Sequence, residues 1–333
     1  MPSAGSPYGR DAMSMTLNRG ARPRRTPEAH EHFVHLPTRL WKVLLAGGIV
    51  TWLIAAGATI ITSDNILVPT VIIVGSFMVP VTMAAFALSR PREGYLTTEE
   101  VVLGFLLAGT LGVVATAMLE GYLVPAATGT FIAVGVIEEI GKATVLLVVA
   151  HQVHHREPRD GMVLGAVVGA GFAAFESAGY ALQTLLDNLN HQTVVAILEI
   201  ETLRAVLAPF GHITWTALIG GALFASSRGG RFHVTRGLVL TVLGVIALHA
   251  LWDQTSGWAV MLTRGLVMDE GWHVVWPNAQ LWVIPPTGSH LFWFNAIYDM
   301  LLVLWGAIGT AWIVLAWRHY GRRGAVATTT PVE

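Results

Sequence analysis

Apolar residues gather in long runs along this chain, at 40–62, 66–88, 100–123, 127–150, 161–185, 212–227, 236–256 and 291–317. A helix needs roughly 20 such residues to cross a hydrocarbon core, and most of the runs reach that length; 212–227 is short. The pattern predicts an all-α polytopic membrane helix bundle of about eight transmembrane helices. A ninth apolar stretch, 191–210, carries Glu199, Glu201 and Arg204 and reads as a re-entrant or peripheral helix, with Glu201 and Arg204 pairing locally.

Basic residues orient the bundle. Arg10, Arg19, Arg22, Arg24, Arg25, Arg39 and Lys42 precede or open the first run. Arg90 and Arg92 follow the second, and Arg156 and Arg159 the fourth. Arg228, Arg231 and Arg236 follow the sixth, and Arg318, Arg322 and Arg323 the last. The alternate connections at 63–65, 124–126 and 186–190 carry none. The excess of positive charge in cytoplasmic loops then places both termini in the cytoplasm. Residues 1–35, rich in Pro, Gly, Ser and Arg, read as a disordered cytoplasmic tail. Residues 36–320 form a single transmembrane domain with its motif core at 130–255, and 321–333 form a second disordered tail. No cleavable signal peptide is visible.

Composition agrees: 53% of residues are hydrophobic and 12% charged, against about 25% charged in soluble proteins. A net charge of −1 gives no signal for nucleic acid, and the absence of cysteine excludes disulfides and thiol chemistry. The expected surroundings are a lipid bilayer.

The polar residues inside these runs carry the chemistry. Glu138, Glu139 and Lys142 sit in the middle of 127–150, where each charge costs ~2.5–3.5 kcal/mol on insertion scales. Lys142 is one turn from Glu138 and can pair with it. In 161–185, Phe172 and Glu176 share a face, and Gly161, Gly165 and Gly169 continue the four-residue spacing. Such glycines let helices approach closely and would draw Glu176 into the interior. Pro209 and Gly211 break the chain just before His212. His249 and Asp253, one turn apart, project from one face. With both termini cytoplasmic, all four elements converge in the outer half of the bilayer, because outward-facing charge is intolerable in lipid. Such a cluster would activate a water. Glu138 or Glu139 would be the base, and Glu176, His212, His249 and Asp253 would hold a divalent metal of zinc type or orient the water. Asp299, inside the last run, reads as a packing hydrogen bonder. The tryptophan-bearing connection 257–290 reads as an outer-surface loop and a candidate lid.

The motifs E-E-x-x-K (Glu138–Lys142), F-x-x-x-E (Phe172–Glu176), the helix-opening His212 after Arg204 and Pro209, and H-x-x-W-D (His249–Asp253) resemble those of the PrsW family of intramembrane metalloproteases. More distantly they are similar to the superfamily of CAAX prenyl proteases and bacteriocin-processing enzymes. The resemblance implies a membrane endopeptidase of the bacterial cytoplasmic (inner) membrane. Its substrates would be membrane proteins such as an anti-sigma factor, cut at an extracytoplasmic site (site-1 cleavage). It implies that Glu138, Glu139 and His212 are essential, with Lys142, Phe172 and Arg204 as supporting motif positions. The wider superfamily has His where this chain has Glu176, and Asn where it has Asp253. The alternative reading is an ion- or proton-coupled transporter, which also uses intramembrane acids and histidines, although no inverted internal repeat is visible.

Overall fold

The computed structural model describes residues 34, 36–92, 94–124, 130–187, 193–267 and 288–327. The tail at 1–33, residues 328–333, and Trp272, Trp276 and Trp282 of the candidate lid lie outside the described residues.

Helix α1 (Leu40–Thr62) leads through a 3-10 turn to α2 (Val68–Leu88). Helix α3 (Thr98–Leu107) opens on a capping box between Thr97 and Glu100. It runs through a π-turn (Ala108–Gly112) into α4 (Val113–Leu123). There follow α5 (Thr130–Ala150), α6 (Pro158–Asp187) and α7 (Thr193–Leu207), which ends in a 3-10 turn over Ala208–Phe210. Helix α8 (His212–Ala225) is followed by a hairpin of β1 (Ser227–Arg228) and β2 (Arg231–Phe232). Helices α9 (Arg236–Asp253), α10 (Thr255–Val267) and α11 (Gly288–Ala327) complete the chain.

Among the described residues, six stretches are long and apolar enough to cross a membrane: Leu40–Thr62, Asn65–Leu88, Thr98–Leu123, Pro158–Asp187, Arg236–Asp253 and Gly288–Arg322. The other two runs read as spans are helical too. One is α5, which carries Glu138, Glu139 and Lys142, and the other is α8, only 14 residues long. Three boundaries move. Helix α10 occupies part of the 257–290 connection, which is therefore not wholly a loop. Helix α11 continues to Ala327, past the expected end at 320. Val34, placed in the tail by its composition, donates its N–H to the Leu96 carbonyl at 2.8 Å.

Helix α6 is the axis of the bundle. Its residues from Asp160 to Ala174 are all buried, although lipid favours exposed apolar side chains as readily as buried ones. The cause is the glycine stripe. A Cβ at Gly161, Gly165 or Gly169 would strike the carbonyl oxygens of Gly220, Thr216 and His212 respectively. The α8 backbone therefore lies directly on α6, as small residues at this spacing permit. At the base of α6, the ion pair of Arg92 with Asp160, 2.7 Å long and buried on both sides, ties the α2–α3 connection to the helix start.

Candidate active site

The glycine stripe sets the first relationship in the site. With Gly169 against the His212 carbonyl, the first residue of α8 lies beside the next turns of α6, where Phe172 and Glu176 project. His212 Nε2 is 3.0 Å from Glu176 Oε2, and its ring lies 5.3 Å from that of Phe172. Pro209 ends α7 in a 3-10 turn, and the Thr214 hydroxyl donates to its carbonyl at 2.7 Å.

A second close approach positions His249. A Cβ at Gly135 on α5 would meet the Ile246 carbonyl of α9 at 3.3 Å and His249 Cβ at 3.6 Å. The bare glycine lets α9 lean on α5, and His249 Nδ1 comes within 2.8 Å of Glu139 Oε1. Its Nε2 faces Asp253 Oδ2 at 3.3 Å and Glu138 Oε2 at 3.8 Å. The Trp215 ring lies tilted against the His249 ring, their centroids 4.6 Å apart.

Lys142 stands at the centre. Its Nζ is 2.6 Å from Glu139 Oε1, 3.3 Å from Glu138 Oε2 and 2.7 Å from His212 Nδ1, and it lies over the Phe172 ring. Lysine has only donors, so His212 Nδ1 accepts, and the ring donates its Nε2–H to Glu176. A fully buried ammonium is expensive unless each proton finds a partner, and here all three do.

Glu176, which has no basic residue on its own helix, is met by Arg204 of α7. Arg204 Nη2 donates to Glu176 Oε2 at 2.5 Å and Nε to Ser177 Oγ at 2.8 Å, while the guanidinium lies over Tyr180. This corrects the expected local pair of Glu201 and Arg204. Glu201 points the other way, its Oε2 accepting from Trp52 Nε1 at 2.8 Å. It is buried where Gly75 leaves room for its carboxyl group. Residues i and i+3 lie about 60° apart around a helix, and here two different neighbours, Trp52 and Glu176, claim them.

A cavity of about 620 Å³ opens beside this cluster, bounded by α4 to α11. Glu138, Glu176, Arg204, His212, His249 and Asp253 all border it. Glu139 and Lys142 do not; they lie behind, fully buried. The structure thus brings together every residue singled out from the motifs, in two layers. Asp299 is exposed on α11 and off the cavity wall, so it is not the packing group expected; Tyr298 and Leu302 line the cavity from that helix. Sequence reasoning missed Glu120 of α4, which also borders the cavity. Its Oε1 is buried with no hydrogen-bond partner among the described residues. The available signal was an acid near the end of an apolar run.

The residues fit a divalent cation. Glu138, His212 and His249 each offer a ligand atom, and these lie within 4.8 Å of one another. Five carboxylates (Glu120, Glu138, Glu139, Glu176 and Asp253) stand against two permanent cations, Lys142 and Arg204. One oxygen of Glu139 is itself without a hydrogen-bond partner among the described residues. Behind His249 stands a carboxylate on Nδ1, the arrangement that orients a metal-ligating imidazole.

A family model described as PrsW family intramembrane metalloprotease matches residues 96–283, more than half of the chain. The chain belongs to this family. It is a membrane-embedded protease, and the matched segment contains every site residue described above. No curated protein and no solved structure matches it. Family membership implies a divalent metal and membrane-protein substrates in the bilayer, and it gives no support to the transporter reading.

Proposed function

We propose that this PrsW-family protease hydrolyses peptide bonds of membrane-protein substrates with Glu138 as the base that activates a water. The observation that carries this is the division of labour between adjacent glutamates: Glu138 borders the cavity, and Glu139 is sealed behind it.

His212, His249 and Glu138 are the residues that would hold the metal. His212 Nδ1 would give up its bond to Lys142 and His249 Nε2 its contact with Asp253 to do so, while Glu176 keeps His212 Nε2 and Glu139 keeps His249 Nδ1. When bound, a divalent cation of zinc type supplies positive charge that acidifies water and polarises a carbonyl. The remaining roles belong to the chain itself. The contacts of Glu138 within the cluster all fall on Oε2, which leaves Oε1 to take the proton of a water facing the cavity. The water oxygen attacks the scissile carbonyl carbon, and Glu138 then returns the proton to the leaving amide nitrogen as the C–N bond breaks. Lys142 compensates the charge of both glutamates. Arg204 fixes Glu176, and Glu176 fixes His212. Glu139 fixes His249.

The distribution of basic residues supports cytoplasmic termini and eight crossings, with α7 a peripheral helix. In that orientation the cavity lies toward the outer face of a bacterial cytoplasmic membrane. This suits extracytoplasmic site-1 cleavage of an anti-sigma factor, the substrate the family resemblance suggests. The test is a proteome-wide comparison of membrane-protein fragments in cells carrying the wild-type enzyme or Glu138→Gln. Fragments present only with the wild type support the reading. Identical fragment sets overturn it.

A further inference from the structure

A second cavity of about 560 Å³ lies against α6 on the side of α2, and its walls are almost wholly apolar. Ile72 and Ile73 of α2, Leu182 and Leu185 of α6 and Val194 of α7 contribute. Ile73 and Leu182 are 58% and 49% exposed, so the groove is open on its outer side. Gly179 belongs to the wall of this groove and also to the wall of the catalytic cavity. A Cβ built on Gly179 meets nothing within 4 Å, so α6 raises no side chain between the two spaces there. Gly179 is three residues beyond Glu176, about 4.5 Å along the helix axis.

We infer that this groove receives the apolar membrane-spanning segment of the substrate, and that Gly179 is the sill over which the chain passes to the catalytic residues. The inference rests on the protease reading and names how its substrate is held. A peptide bond inside a helix has its carbonyl engaged in the helix ladder, so the cleaved stretch must unwind. In lipid the freed backbone groups would lack partners, at a cost of several kcal/mol each. The two spaces divide the problem. The groove offers only apolar contact and suits the part of the segment that stays helical. The catalytic cavity offers Arg204, Ser177, Tyr180 and Gln183, donors and acceptors for an extended backbone. A side-chain-free sill lets the chain cross from one to the other without displacing α6. Continuity with the catalytic cavity favours a substrate segment over a lipid acyl chain as the occupant.

The test is photo-crosslinking in the Glu138→Gln enzyme, which needs no turnover and so reads docking separately from catalysis. A photoreactive residue is placed at Ile73, at Leu182, or at Val303 of α11. Val303 is 71% exposed and adjoins Leu302 on the cavity wall, so it samples access from the α11 side. The probe is a biotinylated single-span peptide of about 20 Leu and Ala residues with a polar extended tail, in lipid vesicles. The expected result is crosslinking at Ile73 and Leu182 at least about fivefold above Val303, about 1 kcal/mol of preference. Equal or greater crosslinking at Val303 overturns the inference, as do adducts at Ile73 and Leu182 that contain lipid alone. In the active enzyme, Gly179→Leu lowers cleavage of a membrane-spanning substrate about tenfold with an unchanged melting temperature. Unchanged cleavage removes the sill from the account. An enzyme that crosslinks as expected but cleaves no membrane protein contradicts the protease reading alone.

Discussion

Glu139 Oε1 stands 2.8 Å behind His249 Nδ1, on the side away from the cavity that Glu138 borders. The two neighbours in sequence should therefore fail differently. Glu139→Gln keeps the shape and removes the charge that orients His249. Loss of such a supporting carboxylate costs about 10–100-fold in metal affinity, measured by titration of the metal-free enzyme. Restoring activity at high metal concentration would separate this role from direct catalysis.

Removing metal with a strong chelator should abolish cleavage, and adding back a divalent cation should restore it. Alanine at His212 or His249 should lower bound metal per chain, measured by elemental analysis, in proportion to the loss of activity.

Arg204 reaches Glu176 and Ser177 with two separate nitrogens. Lysine keeps the charge but not the fork. Arg204→Lys should lower kcat/KM about tenfold through a looser His212, roughly 1.4 kcal/mol of lost positioning. Glu201→Gln should leave kcat/KM unchanged, because that carboxyl group bonds Trp52 and does not border the catalytic cavity. A loss with Glu201→Gln equal to that with Arg204→Lys would revive the local pair.

The glycine stripe predicts a position-dependent stability pattern. Gly165→Ala sets a methyl group against the Thr216 backbone and should destabilise by about 1–3 kcal/mol, as overpacking does. Gly57→Ala on α1 meets nothing and should be neutral or stabilising by up to ~1 kcal/mol. Thermal unfolding in detergent, monitored by circular dichroism, reads both.

The motif residues were legible in the sequence because charge inside an apolar run is costly and must converge. Gly161, Gly165 and Gly169 announced a close helix contact, and Thr216 and His212 proved to be among its partners. What was not legible depends on which face of a helix meets which neighbour. Arg204 lies nearer in sequence to Glu201 than to Glu176, yet tertiary packing gives it to Glu176. Glu120 carries no motif, and only the fold brings it to the cavity. The one-turn spacing to Lys142 already pointed to Glu138 over Glu139 as the proposed base. That Glu138 borders the cavity and Glu139 does not was visible only in the fold, since a single helical step decides which carboxylate reaches it.

Cleavage of a membrane-spanning substrate by purified enzyme in sealed vesicles, comparing wild type with Glu138→Gln, tests the water-activating role most directly. The account predicts a loss of about 10²–10⁴-fold, the usual contribution of a general base, with an unchanged melting temperature. A Glu138→Gln enzyme that still cleaves at the wild-type rate would contradict it.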